Sequence, residues 1–138
     1  MVDMAGYSDK TLRDKLGLKM GQRSAIVRLP EAVSDDLGNI ADLNTLTRVV
    51  GVPFDFILMF ITSREQLEAV LPNLVRHLHS GGMLWLAWTK RTSPLHHGLN
   101  DAIIRDLGLK SGLIDVKVMS VSNDWSGLKF VHPQSNRK

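Results

Sequence analysis

The residues in this sequence best suited to hold a charged ligand stand directly after its two most apolar runs. Ser63 and Arg64 follow DFILMFIT (residues 55–62), and Lys90 and Arg91 follow MLWLAWT (residues 83–89). A serine that starts a helix leaves backbone N–H groups and a partial positive charge at that end, and Arg64, Lys90 and Arg91 add full charges. A phosphate or carboxylate is the ligand such a set would take. Trp88 and Trp125 offer flat faces beside it, whereas Trp85, inside its run, is expected in the core. The candidate ligand-binding residues are therefore Ser63, Arg64, Trp88, Lys90, Arg91 and Trp125.

Catalytic chemistry is harder to find. Glu31 can act as a base, but a single acid is not a mechanism. No nucleophile elbow, phosphate-binding G-x-x-x-x-G-K-[ST] loop or paired carboxylates are visible. His77 and His79 are two residues apart on a helix and point to different sides, and adjacent His96 and His97 rarely share an ion, so no metal is expected. A loop role stays open for His96 and His97.

These residues need a scaffold, and the apolar pattern supplies one. Runs of almost unbroken apolar residues, such as 55–62 and 83–89, mark strands covered on both faces, as in a parallel sheet flanked by helices. Residues 23–29 form an earlier strand ended by Pro30, and Ser8 caps a short helix before it that stops at Gly17. Residues 46–50 are strand-like but too close to residue 55 for a parallel crossover, so an edge, antiparallel or irregular piece is expected there. Ser63 and Gln66 make a capping box, and Leu67, Val70, Leu71, Leu74, Val75 and Leu78 form one helical stripe, kinked or split at Pro72. Gly81-Gly82 turns the chain into the next strand. A helix over residues 99–107 follows, loosened at its end by Gly108 and Gly112, and residues 114–121 and 125–131 form a hairpin.

At 138 residues the chain fits one α/β domain, residues 1–138, with a polar tail at 132–138 expected to fray. It has no cysteine and no apolar leader, which points to the cytoplasm, and its longest apolar run is far below the roughly 20 residues of a membrane span. The net charge of +3 is spread singly along the chain, which argues against nucleic acid as the partner.

SGGMLWLAWTK (residues 80–90) resembles the passage into the fifth strand of methyltransferase sheets. The element order, closed by a reversed last strand, resembles a Rossmann-like methyltransferase sheet over residues 19–131. The chain is also similar to an uncharacterised bacterial family of short proteins, a domain of unknown function, through AGYSDKTLRDKLGLKMG, DFILMFITSREQLEAVLP, GGMLWLAWTK and GLIDVKVMSVSNDWSGLKFV. These resemblances imply a fold and not a reaction: a truncated three-layer, mostly parallel sheet with a C-terminal antiparallel hairpin. They also place residues 125–131 between 83–89 and 114–121.

Methyltransferases of this kind hold S-adenosylmethionine against a glycine-rich turn after the first strand, with an acid at the end of the second. Here that turn is RLPEAV (residues 28–33), without glycine, so no cofactor is expected. The reading is a small binding domain for an anionic small molecule or a protein partner, with an exposed edge strand that offers a route to a homodimer. The alternatives are an enzyme using the same crevice, in the manner of a degenerate methyltransferase, and a nucleic-acid-binding protein.

Overall fold

The computed structural model describes residues 10–133. Helix α1 (Leu12–Leu16) starts at Thr11, whose hydroxyl accepts the Asp14 N–H, and ends at Gly17, where φ of 85° lets the Leu18 N–H return to the Arg13 carbonyl. Ser8, the expected cap, lies outside the described residues. Leu16 and Leu18 are buried, and the Trp85 indole N–H donates to the Leu16 carbonyl at 2.8 Å, which seats α1 on the sheet.

Five strands form one sheet in the order β1-β2-β3-β5-β4. Strands β1 (Ser24–Val27), β2 (Phe54–Phe60) and β3 (Leu78–Thr89) are parallel. Strand β5 (Trp125–Val131) is antiparallel to β3 on one side and to β4 (Ile114–Ser120) on the other. The reversed strand thus lies where the hairpin and the resemblance placed it.

Alternation sends successive side chains to opposite faces. Ile57, Met59, Leu84, Leu86, Trp88, Leu128 and Phe130 meet helices α3 (Arg64–Arg76) and α4 (Asp101–Lys110). Ile26, Phe56, Leu58, Phe60, Trp85 and Trp125 meet α1 and α2 (Glu31–Leu37). This is the three-layer arrangement expected from the doubly apolar strands.

Residues 46–50 are the irregular alternative and not an antiparallel strand: Leu46 alone bridges to Ala25, in parallel, and a short 3₁₀ turn, Ala41–Leu43, precedes it. Beyond Leu46 the backbone carbonyls are claimed elsewhere. The Arg23 guanidinium, lying 4.3 Å from the Phe54 ring centre, donates to the Val50 and Val52 carbonyls at 2.7 and 3.0 Å, and the Asn73 amide donates to that of Val49. Pro72 does not split α3 into two elements; the helix runs through it, with Leu67, Leu71 and Leu74 buried.

Gly81-Gly82 is likewise no turn, because β3 already begins at Leu78. Two steps along β2, from Phe54 to Phe56, face five along β3, from Leu78 to Met83, so the glycines occupy a bulge. A Cβ at Gly82 would lie 2.8 Å from the Phe54 carbonyl oxygen. Finally, Gly108 does not loosen α4. It sits inside the helix, where a Cβ would come 2.1 Å from the Phe130 ring.

The outer edge, β4, exposes Val116 and Val118 at 53% each. Val116 is the extra residue of a bulge between Asp115 and Lys117, and a bulge with a neighbouring lysine opposes pairing with another strand. Arg105 donates to Asp115 at 2.9 Å, a bond that raises the guanidinium pKa above its ordinary value and ties α4 to β4.

The contact between α4 and β5 yields a stability prediction. Gly108→Ala gains helix propensity of about 1 kcal/mol but forces the Phe130 ring to move, and overpacking of this kind costs about 1 to 3 kcal/mol. Urea denaturation should show a lower midpoint for Gly108→Ala and recovery when Phe130→Leu is added. An unchanged or raised midpoint in the single variant would contradict this packing.

Candidate functional site

The carboxyl end of β3 carries the site. Trp88 lies on the α3/α4 face and is 4% exposed, with Ser126 of β5 beside it and Ser120 of β4 next in the same row. One residue on, the Lys90 N–H donates to the Asp124 carbonyl, and the Lys90 side chain extends across β5 until its ammonium donates to Ser120 Oγ at 2.6 Å. The loop then folds back on itself. Ser93 N–H returns to the Lys90 carbonyl, the Ser93 hydroxyl accepts the Leu95 N–H, and the His96 N–H returns to the Ser93 carbonyl. These turns bring Arg91 and His96 to the same opening.

Helix α4 closes the opposite wall. Asn100 caps it by accepting the Ile103 N–H at 2.9 Å, and buried Leu99 anchors the approach. Between the sheet row, the loop and this helix start lies an open cleft of about 660 Å³. Its floor is Trp88, Val118 and Ser126; its rim carries Lys90, Arg91 and His96 on one side and Asn100 and Asp101 on the other.

Of the residues singled out in the sequence, Trp88, Lys90 and Arg91 are brought together here. Ser63, Arg64 and Trp125 do not line this cleft. Ser63 caps α3, accepting the Gln66 N–H at 3.0 Å, while Gln66 Oε1 accepts the Thr62 N–H at 2.8 Å, the expected capping box. Arg64 pairs with Glu68 at 3.1 Å on the exposed face of that helix. Lys90 leans toward β4 while Ser63 follows β2 on the other side of β3, so these two groups do not converge.

Trp125 is displaced for a reason of register. It pairs with Thr89, whereas Trp88 pairs with Ser126, so the two tryptophans lie on opposite faces of the sheet. Trp125 is 6% exposed and meets the Phe60 ring edge-on, with centroids 5.1 Å apart. It is a core residue. Ser126, Val118 and Asp101 went unnoticed in the sequence because cross-strand pairing brings the first two to the cleft; Asn100, three residues before the first inward isoleucine, was a legible cap signal.

No protein-family model matches the chain, and no curated protein matches it. Solved structures do. A ribosomal protein L11 methylase from Lactobacillus delbrueckii subsp. bulgaricus aligns at 16% identity with a TM-score of 0.55, covering 88% of this chain and 74% of that one. Magnesium protoporphyrin IX methyltransferase (ChlM) from Synechocystis PCC 6803 with bound SAH aligns at 16% identity and 0.52, covering 74% and 58%. LepI in complex with SAM aligns at 12% and 0.53, covering 88% and 39%. The fold is therefore the methyltransferase-like Rossmann fold. The chain spans about two fifths of the length of LepI and under three fifths of that of ChlM.

That likeness makes the end of β1 the place to test for S-adenosylmethionine. The turn there does not fit it. Arg28 takes φ of 62°, the left-handed conformation a glycine would adopt freely, and presents an exposed cation where a sulfonium cofactor would approach. Pro30 caps α2 without a side-chain hydrogen bond and has no N–H to donate. Leu46, the remnant at the position of a second strand, is followed by Thr47 and Arg48 rather than an acid. The adjoining cleft, lined by Ile26, Leu29, Ile40 and Leu46 among others, holds only about 290 Å³. Isothermal calorimetry should accordingly detect no saturable binding of S-adenosylmethionine at sub-millimolar concentrations. Binding in that range that S-adenosylhomocysteine competes away would contradict this reading of the turn.

Proposed function

We propose that the chain is a small Rossmann-like binding domain that takes an anionic small molecule in the cleft at the carboxyl ends of β3 and β4. The observation that carries this reading is the state of the cations. Lys90 is held by a neutral hydroxyl and not by a carboxylate, so its charge stays available to a ligand. Arg91 joins it at the rim, above an apolar floor of Trp88 and Val118. Small-molecule sites combine an apolar body with a few convergent polar groups in this way.

The enzyme reading is favoured by the fold likeness to methyltransferases alone. Fold does not transfer a reaction, and no residue of the cleft is assigned a catalytic role. A basic face for nucleic acid is not favoured, since 17 basic residues are offset by 14 acidic ones and both are spread along the chain. Among the described residues no three His, Asp or Glu side chains group for a metal, and no helix is long and apolar enough to cross a membrane.

Two cations on a partly shielded rim favour a phosphate or carboxylate by roughly 1 to 3 kcal/mol, which alone gives a Kd of roughly 6 to 190 mM and leaves the rest of any tighter affinity to the apolar floor. Titration with phosphate and with a nucleoside monophosphate, followed by amide NMR shifts, should move residues 91–98, 101 and 102 and leave residues 63–65 unchanged. Lys90→Ala with Arg91→Ala should weaken the response about fivefold or more. Equal responses in wild type and variant would leave the two cations as solvated charges.

A further inference from the structure

The cleft is not uniformly basic, and its one carboxylate indicates more about the ligand. We infer that the cleft selects a zwitterionic small molecule, with an acidic group at Lys90 and Arg91, an amine at Asp101, and an apolar body over Trp88 and Val118. This rests on the reading of the cleft as an anion site.

Asp101 lines the cleft opposite the loop that carries Arg91 and His96. As the first residue of α4 it gains from the positive end of the helix, which accounts for a carboxylate at this position but not for its availability. Its contact with Arg105 is long, 3.5 Å, while Arg105 makes its shorter bond of 2.9 Å to Asp115. The Asp101 side chain is 58% exposed, and the cap bond of the helix is made by Asn100 and not by Asp101. Asp101 therefore lines the cleft with only one long ion pair of its own, and that to a residue outside the cleft. A purely anionic ligand would meet it with repulsion. A ligand that carries its amine at the far end of an apolar body from its acid turns that repulsion into a second ion pair, with the body lying over the floor between the two rims.

The test uses three matched probes on the whole chain: hexanoate, 6-aminohexanoate and hexylamine, each titrated at pH 7 and read by amide shifts at residues 91–102. 6-Aminohexanoate should bind about threefold more tightly than hexanoate, the size expected of an exposed ion pair, and hexylamine should bind more weakly than either. In Asp101→Asn, which keeps the side-chain shape at the helix start, the preference for 6-aminohexanoate should disappear while hexanoate binds at least as well as before. Equal or tighter binding of hexanoate to the wild type would overturn the zwitterion inference and leave the anion site standing. If phosphate and all three probes leave the spectrum unmoved, the anion site fails as well. The wild-type series decides the matter even if the variant folds poorly.

Discussion

The placement of β5, reversed and inserted between β3 and β4, is the constraint on which the rest of the molecule depends. It brings the carboxyl ends of β3 and β4 to one edge with a single strand between them, the span that Lys90 crosses to reach Ser120. It also needs space. At Gly127 a Cβ would lie 2.9 Å from Val121 and 3.2 Å from the Trp85 ring, and at Gly108 the facing helix gives up its side chain to the Phe130 ring. Two absent side chains, one on each face, let a strand crowded with aromatic neighbours sit inside the sheet.

From that placement the two ends of the carboxyl edge acquire different characters. At the β1 end the sheet stops at a single bridge, and the turn presents Arg28, Leu29 and Pro30 where a cofactor cradle would stand in the resembled fold. At the β3–β4 end the sheet is complete, α4 is tied down by Arg105 to Asp115, and an open cleft remains between helix start and loop. The methyltransferase-like architecture is kept, the turn after β1 carries Arg28 and Pro30 in place of glycines, and the proposed ligand cleft lies at the other end.

Much of this was legible in the residues. The unbroken apolar runs announced doubly covered strands, the Ser63–Gln66 pair announced the start of α3, and the closing hairpin placed β5. What escaped was decided by contacts distant in sequence. That residues 46–50 would not join as a parallel strand was legible from their distance to residue 55, but the Arg23 guanidinium bonds to the Val50 and Val52 carbonyls were not. For the site, Trp88, Lys90 and Arg91 were legible because they end or follow a strand. Trp125 was misplaced because its face depends on which residue it pairs with, and a one-residue difference in register reverses that.

The position of β5 can be measured directly by native-state hydrogen exchange. A strand paired on both sides has every amide bonded, while an edge strand leaves every second one free to solvent. Amides of residues 126–130 should therefore exchange only through global opening, as slowly as those of residues 84–88, and β4 should show alternating fast and slow positions. Alternating fast exchange within residues 125–131 would place β5 at the edge of the sheet and remove the cleft that depends on it.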